Sequence, residues 1–280
     1  MKERLDTILV NKGFSPSRDK AKRTIMEGLV FVDGHLADKA GMKYDVDSEF
    51  VVKGNPMPYV SRGGLKLAKA INCFGVDPNG CVCMDMGAST GGFTDCMLKN
   101  CAAKVYAVDV GYGQLDYRLR TDSRVVNIEK TNIRYMDLSL IAEKLDLISI
   151  DVSFISTRHM FPVCNKLLSD KGIVVSLIKP QFEAGREQVG KGGIVRDMGV
   201  HEDVIRKVIG YARDSNLYPH GLTFSPVKGT RGNIEYLIML KREDNKGMLT
   251  AARRSGNVEL MTVDKCVNAV VRDSHEDLDI

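Results

Sequence analysis

Four side chains in this sequence, Lys66, Asp151, Lys179 and Glu235, have the types needed to take a proton from a hydroxyl and balance the charge that results. A hydroxyl is a poor nucleophile until its proton is drawn off as the new bond forms, so such chemistry calls for a positioned base. A lysine serves only as the neutral amine, a form favoured by low exposure and by a second cation nearby. With Lys66 beside Lys179, one of the two becomes a usable base, while Asp151 and Glu235 orient the amines and limit total charge. Taken singly, each residue has a plainer reading. Lys66 is equally a solvated helix lysine, Asp151 a turn acid and Glu235 an edge-strand salt-bridge partner, since charge networks are also structural.

A second group of residues surrounds a glycine-rich turn. Val82-Cys83-Met84-Asp85-Met86-Gly87-Ala88-Ser89-Thr90-Gly91-Gly92-Phe93-Thr94 reads as a buried strand feeding a nucleotide-binding loop, with a helix opening near Thr90. Gly87, Gly91 and Gly92 let backbone approach a ligand, and Asp85 offers a carboxylate at the strand mouth. The pattern is D-x-G-x-x-x-G-G and not the G-x-G-x-x-G of dinucleotide sites, and an acid there suits a cationic or hydroxyl-bearing ligand better than a pyrophosphate. That favours S-adenosylmethionine (SAM) over NAD; the plainer reading is a strand and a helix joined by a convenient turn. Just over twenty residues on, Asp109 ends Val105-Tyr106-Ala107-Val108, where a carboxylate can grip both hydroxyls of a ribose. Val110 and Gly111-Tyr112-Gly113-Gln114 continue that rim. Asn132 offers a side-chain amide to an adenine, although loop asparagines more often form turns. The expected cofactor set is therefore Asp85, Gly87, Ala88, Ser89, Gly91, Gly92, Phe93, Asp109, Val110, Asn132 and Asp151. Asp151-Val152-Ser153-Phe154 lacks the Asn-Pro-Pro-Tyr element of exocyclic-amine methylases, and no Pro-Cys pair of cytosine-carbon methylases is present. The acceptor is thus expected to be a hydroxyl, and no metal is needed.

These residues need a frame. Strand-like runs recur at 104–109, 125–129, 145–151, 172–178, 217–224 and 233–240, with helical stretches between most of them. That alternation predicts an α/β fold with a mostly parallel sheet covered on both faces, which takes ligands at the carboxyl ends of its strands. Lys179 ends one strand before Pro180, and Glu235 is expected within the last. A helix from Ser61 turns Leu67, Ala70 and Ile71 inward and leaves Lys66 free to project elsewhere.

Residues 1–54 differ in texture and run into Gly54-Asn55-Pro56-Met57-Pro58-Tyr59-Val60, so the boundary falls there. Leu5, Ile8 and Leu9 share a helical face, Gly13 closes that helix, and Ser17 caps a second carrying Ala21 and Ile25. A strand into the Asp33-Gly34 turn and a closing strand at 49–53 follow. Residues 1–28 carry seven basic side chains against four acids, and 29–54 three against five. The positive field therefore sits on the helices, where Arg18 and Lys22, one turn apart, with Lys20 and Arg23 beside them, could track a phosphate backbone. A solvated amphipathic helix is the plainer alternative.

Composition sets bounds. With 280 residues, 44% of them hydrophobic, the chain has room for one large domain and one small, and its net charge of +4 permits an RNA partner without demanding one. Seven scattered cysteines without a C-x-x-C pair read as reduced thiols. No signal-peptide core or bilayer-length apolar run is apparent, so a soluble cytoplasmic protein is expected.

Two resemblances sharpen this. Arg4-Leu5-Asp6, Leu9, Gly13, Ser17-Arg18, Ala21, Ile25, Gly28, Val30, Val32 and Asp33-Gly34 resemble the S4 RNA-binding module, with Asp33 where Asn is more usual. Ser61-Arg62-Gly63-Gly64-Leu65-Lys66-Leu67, residues 85–93 and 108–114, Asp151-Val152-Ser153-Phe154-Ile155-Ser156, Lys179-Pro180-Gln181-Phe182-Glu183 and residues 228–235 resemble the TlyA family of FtsJ-like ribose methyltransferases. The resemblance covers residues 3–240. It implies a Rossmann-like SAM-dependent methyltransferase sheet plus a small N-terminal α/β S4-like domain, laid out as residues 1–56, a linker at 57–60, 61–242, and an extension at 243–280. It also implies a Lys-Asp-Lys-Glu tetrad on Lys66, Asp151, Lys179 and Glu235 with Lys179 as base, and cytidine 2′-hydroxyls of ribosomal RNA as acceptors. The partner is then ribosomal RNA or a ribosomal subunit, with no obligate protein partner. Relatives also bear the label haemolysin, though nothing in this chain looks lytic.

Residues 183–196 add Arg186, Lys191 and Arg196 among glycines and read as an RNA clamp that orders on binding, against the alternative of a mobile surface loop. With Arg4, Arg18, Lys20, Lys22, Arg23 and Arg62, these make up the expected RNA-binding set. Leu260, Met261, Val263, Val267, Val270 and Val271 predict a terminal amphipathic helix packed on the sheet. The leading expectation is an RNA 2′-O-methyltransferase; a non-catalytic ribosome-assembly factor and a membrane-lytic toxin are the alternatives.

Overall fold

The computed structural model describes residues 2–26, 28–53, 57–229, 231–252 and 258–278. Gly54-Asn55-Pro56 of the expected connector and Thr230 of the 228–235 motif lie outside the described residues. The chain divides into two compact units, Met1–Pro58 and Tyr59–Ile280.

The first unit contains β1 (Lys2–Arg4), α1 (Leu5–Asn11), α2 (Arg18–Met26), β2 (Val30–Val32), β3 (His35–Leu36), β4 (Lys43–Asp45) and β5 (Phe50–Val52). Leu5, Ile8 and Leu9 of α1 and Ala21 and Ile25 of α2 are buried against Val30, Val32 and Phe50, as their helical and alternating spacings require. The Ser17 hydroxyl accepts from the Lys20 N–H at 3.3 Å, the expected cap. Asp33 and Gly34 both take positive φ, 49° and 79°, which closes the two-residue turn between β2 and β3. The short pairing of β1 with β4 was not foreseen, because three charged residues carry no apolar alternation.

The same unit gives two of the expected RNA-binding arginines a structural partner. Asp6 is fully buried, and Arg4 Nε and Nη2 and Arg18 Nη2 each donate to its carboxylate at 3.0 Å. The Arg4 hydrogen bond, with Arg18 adding to it, holds that carboxyl well below the usual carboxylate range. Arg4 and Arg18 thus brace the junction of β1, α1 and α2 before they can serve any phosphate, although about half of each side chain still meets solvent. Lys22 pairs with Asp19 at 3.3 Å, and Lys20 and Arg23 are exposed on α2.

The second unit runs α3 (Gly63–Phe74), β6 (Val82–Met86), α4 (Gly92–Lys99), β7 (Lys104–Val108), α5 (Tyr117–Arg120), β8 (Val125–Ile128), β9 (Leu145–Ile150), α6 (Phe161–Leu167), β10 (Leu168–Ile178), α7 (Pro180–Glu183), α8 (Met198–Asp214), β11 (Tyr218–Phe224), β12 (Tyr236–Lys241), β13 (Met248–Ala252), β14 (Val258–Thr262) and α9 (Val263–Asp277). Among the described residues these strands form a nine-stranded sheet, ordered β14-β13-β11-β12-β10-β9-β6-β7-β8. The block β10-β9-β6-β7-β8 is parallel throughout, while β12 runs antiparallel between β10 and β11. The six expected strands are present, and helices cover both faces. Met84, Met86, Ile148, Ile150, Val174 and Ile178 face α6, α8 and α9. Cys83, Val105, Ala107, Leu147, Val175, Leu177, Leu237 and Met239 face α3 and α4.

The C-terminal end differs from expectation. Leu260 and Met261 belong to β14, paired with β13, and the helix starts only at Val263. Four polar or glycine residues before Met248 hid a hairpin whose outer strand leaves Val258 and Leu260 more than half exposed. The helix α9 packs on β13, β11 and α8. Its Ser274 Oγ meets the Tyr236 hydroxyl at 3.0 Å, and that hydroxyl lies 2.6 Å from His201 Nδ1, whose Nε2 meets the Val195 carbonyl oxygen at 3.0 Å. Burial pushes the His201 imidazole down to about 4, so it is neutral in this network. Among the described residues no helix is long and apolar enough to cross a membrane.

Candidate active site

Strand alternation decides which side of the sheet the charged residues occupy. Side chains two apart share a face, so Asp85 follows Cys83, Asp109 follows Val105 and Ala107, Asp151 follows Leu147 and Ser149, and Lys179 follows Val175 and Leu177. Glu235 precedes Leu237 and Met239 in the same parity. Every one of these positions falls on the face covered by α3 and α4. Lys66 stands on α3 itself, one residue before the fully buried Leu67.

The result is a cleft of about 730 Å³ whose walls include Lys66, Asp85, Asp151, Lys179, Gln181 and Glu235. Lys66 Nζ donates to Glu235 Oε2 at 2.6 Å, with the two residues 9% and 3% exposed. Lys179 Nζ lies 2.6 Å from Asp151 Oδ1 and donates to Ser153 Oγ at 2.9 Å, and Lys179 is 7% exposed. Two lysine–carboxylate pairs therefore share one cleft, with no net charge when all four groups are ionised. Glu235 departs from expectation in one respect, since it stands just before β12 and not within it.

Several expected cofactor residues have jobs within the fold. Asp85 does not present a free carboxylate. It is 1% exposed, its Oδ2 accepts from the N–H and hydroxyl of Thr94 at 2.9 and 2.7 Å, and its Oδ1 accepts from Ser149 Oγ at 3.3 Å. The glycines also have close protein neighbours, and Gly87 and Gly92 line the cleft. A Cβ on Gly87 would lie 2.7 Å from the Asp151 carbonyl oxygen, one on Gly91 2.3 Å from Leu119 Cδ1, and one on Gly92 2.3 Å from Ser61 Oγ and 2.9 Å from the Gly64 nitrogen. The helix α4 opens at Gly92, two residues later than expected.

Ala88, Ser89, Gly92 and Phe93 line the cleft, as does Arg62 at its mouth. Asp109 does not line it; its Oδ2 accepts from Ser89 N–H at 2.8 Å and its Oδ1 from Gly111 N–H at 2.7 Å, so it ties the two rims together. Val110 is 69% exposed beyond that rim. Asn132 caps a short helical turn by accepting from the Arg134 N–H at 3.1 Å, the turn-forming role of loop asparagine.

Burial pushes the Asp85 carboxyl up to about 7; the Thr94 hydroxyl draws it back in part, and the charge of Asp151 adds to the rise. The folded protein holds this proton where the unfolded chain has released it, so Asp85 costs stability progressively as pH climbs from 3.8 to about 7. Asp85→Asn keeps an acceptor for Thr94 and removes that dependence. Its melting temperature, followed from about pH 4 to 8, is expected to decline less than that of the parent.

Some residues of the site were quoted in motifs yet given no role. Ser153, Phe154, Gln181 and Phe182 line the cleft, with the Phe154 and Phe182 rings 5.0 Å apart and Phe154 85% exposed. An aromatic three residues after a candidate acid was the available signal. Asn233 was likewise passed over. Its Oδ1 accepts from Val195 N–H at 3.0 Å and its Nδ2 donates to the Gly193 carbonyl at 2.9 Å. With the Gly190–Ile194 bridge, these bonds tie the 183–196 loop to the segment before β12. Arg186, Lys191 and Arg196 are exposed on it and do not line the cleft.

Residues 59–242 match the FtsJ-like methyltransferase family and residues 3–50 the S4 domain. The chain belongs to the TlyA family of FtsJ-like methyltransferases. It is 50% identical over 240 residues to "Putative rRNA methyltransferase YqxC" of Bacillus subtilis, covering 85% of each chain. It is 39% identical over 246 residues to "16S/23S rRNA (cytidine-2'-O)-methyltransferase TlyA" of Mycobacterium tuberculosis, covering 88% of this chain and 92% of that one. A solved structure, "Putative hemolysin from Streptococcus thermophilus", superposes with a TM-score of 0.74 at 42% identity, covering 99% and 96% of the two chains. TlyA-family membership therefore spans both units, from the S4 domain through the sheet that carries the paired lysines and carboxylates.

Proposed function

We propose that this protein is a SAM-dependent 2′-O-methyltransferase acting on a ribose hydroxyl of ribosomal RNA, with cytidine the acceptor nucleoside. The observation that carries the reading is the meeting of Lys66–Glu235 and Lys179–Asp151 in one cleft at the carboxyl ends of β9 and β10. The cleft fits SAM in size, and the first-turn N–H groups of Gly92 and Phe93, which have no acceptor within α4, stand at its wall. Ala88, Ser89 and Phe93 would hold the cofactor, with Asp109 fixing the loop that carries Ser89. Bound there, SAM supplies an electrophilic methyl group whose sulfur leaves as a neutral thioether with the C–S electron pair.

The chain's own residues then do three things. Lys179 takes the hydroxyl proton, Asp151 orients the amine and balances the ammonium it becomes, and the Lys66–Glu235 pair sets the electrostatic floor of the cleft. Alignment of hydroxyl and methyl contributes much of the acceleration. Arg62 at the cleft mouth, Arg186, Lys191 and Arg196 on the folded loop, and Lys20, Lys22 and Arg23 of the S4 domain supply cations for the RNA backbone. The TlyA-type relative named for cytidine 2′-hydroxyls supports the choice of acceptor.

The test is transfer of labelled methyl from SAM to ribosomal RNA and to ribosomal subunits by the purified full chain, with nucleoside analysis of the product. We expect 2′-O-methylcytidine, and ribose methylation at the same positions in cells that carry the chain and not in cells that lack it. Label in a base, or none in RNA under conditions where the chain binds both SAM and RNA, overturns the reading.

A further inference from the structure

We propose that Arg231 holds the phosphodiester on the 3′ side of the acceptor ribose, so that the cleft binds the backbone next to the hydroxyl it methylates. This rests on the proposed methyl transfer and names the group that seats its substrate.

The acceptor brings a charge of its own. In an RNA chain the 2′-hydroxyl stands on the carbon beside the one that bears the 3′-phosphodiester, so a cleft that takes in the hydroxyl also takes an anion to its edge. The interior has no cation to spare for it. Lys66 is paired with Glu235 and Lys179 with Asp151, while Asp85 is buried with its oxygens accepting from Thr94 and Ser149. The other charged residues lining the cleft are Arg62, Lys228 and Arg231, all of them cations. Arg62 precedes α3 beside the glycine loop, since a Cβ on the next residue, Gly63, would lie 3.6 Å from Phe93 Cδ1 and 3.7 Å from Gly92 Cα. It stands on the cofactor side of the mouth. Lys228 and Arg231 belong instead to the turn that leads into Glu235.

That turn leans on the reaction centre. A Cβ on Gly229 would lie 2.4 Å from Glu235 Oε1, and the other oxygen of the same carboxylate accepts from Lys66. The Gly229 N–H donates to the Asn233 carbonyl at 2.9 Å and the Gly232 N–H to the Gly229 carbonyl at 2.8 Å, with Gly232 at a φ of 91°, so the chain reverses here and carries Arg231 at the turn. The Asn233 side chain fastens the same turn to Val195 and Gly193. Arg231 then lies over Gly193, where a Cβ would come within 3.1 Å of its Nη1. Its guanidinium is thus seated on the lip of the cleft, and among the described residues no carboxylate pairs with it. A planar guanidinium presents paired N–H groups that match two phosphate oxygens, which a lysine ammonium meets only as a point charge.

The experiment compares the full-length parent with R231A, R231M and R231K, measuring affinity for ribosomal RNA across a series of KCl concentrations, SAM affinity by calorimetry, and melting temperature. We expect R231A and R231M to bind ribosomal RNA about tenfold more weakly, with the slope of log affinity against log salt reduced by about one, and R231K to keep the slope. SAM affinity and melting temperature stay at the parent's values. The place of the contact is read with two competitors of methyl transfer, cytidine and cytidine 3′-phosphate. The parent is inhibited at about tenfold lower concentration by the phosphate, and R231A and R231M by both alike. An unchanged RNA affinity or salt slope in R231M, a fall in SAM affinity, or a parent without the 3′-phosphate preference overturns the assignment. If the parent methylates ribose and R231M keeps its RNA affinity, slope and preference, only this assignment falls. If the parent and K179A are equally inert toward RNA, the methyl-transfer reading falls and takes the assignment with it.

Discussion

Replacing Lys179 by alanine is expected to lower kcat for methyl transfer by about 10³-fold or more, in the upper range for loss of a general base, with SAM affinity largely intact. The ammonium pairs with Asp151 and Ser153 on one side of the cleft, while the glycine loop and α4 form another part of its wall. Lys179→Arg separates two roles of the side chain. A guanidinium keeps the positive charge and reaches Asp151 but does not accept a proton in this pH range. If Lys179 serves as base, the arginine variant is as inactive as the alanine variant. If it served only as an electrostatic support, arginine would retain a measurable fraction of the rate. Single-turnover kinetics with saturating SAM and RNA make the comparison without interference from product release.

The second large effect is expected from Gly87→Ala, a change of one methyl group at a residue that performs no chemistry. Gly87 takes a φ of 89°, which disfavours any side chain, and its N–H and that of Ala88 both donate to the Val108 carbonyl. The added Cβ would meet the Asp151 carbonyl oxygen at 2.7 Å and carbonyl carbon at 3.0 Å, both backbone atoms. The Asp151 N–H in turn donates to the Met86 carbonyl at 2.9 Å, so β6 and β9 are clasped where the clash falls. The strained conformation alone costs about 1–3 kcal/mol. Relief requires the Asp151 backbone to shift, and a shift of roughly 1 Å at a catalytic group costs about 10²-fold in rate. Denaturant unfolding and kcat measured on the same preparation check this. A variant that is destabilised but fully active would mean that the strand ends part without disturbing the Asp151–Lys179 contact.

Much of this was legible from the chain alone, for a definite reason. Parallel strands announce themselves as apolar runs, and their last residues of one parity must point to one face. Cys83-x-Asp85, Leu147-x-Ser149-x-Asp151 and Val175-x-Leu177-x-Lys179 therefore specified both the sheet and the side of it that carries charge. What stayed hidden depends on partners distant in sequence. Nothing near Asp85 says that Thr94 and Ser149 will occupy its oxygens, and a glycine set against Asp151 or Leu119 looks in one dimension like a glycine set against a ligand. Asn132 caps a helical turn through its Oδ1, a local role that its sequence neighbourhood already suggests. The β13–β14 hairpin was missed because Leu260 and Met261 fit the helical spacing of Val263, Val267, Val270 and Val271, and only the pairing of β14 with β13 assigns them to a strand.

The contact between Tyr236 and the final helix bears on the order in which the protein can become competent. Tyr236 adjoins Glu235, and its hydroxyl is held between His201 and Ser274. During synthesis the parallel strands that carry Asp151 and Lys179 can pair long before residue 274 exists, but the residue flanking Glu235 acquires its last partner only when the carboxyl-terminal helix has left the exit tunnel. A nascent chain whose α9 has not yet emerged thus lacks the anchor beside one of its four charged groups, and the brace on the residue next to Glu235 forms only once that helix docks.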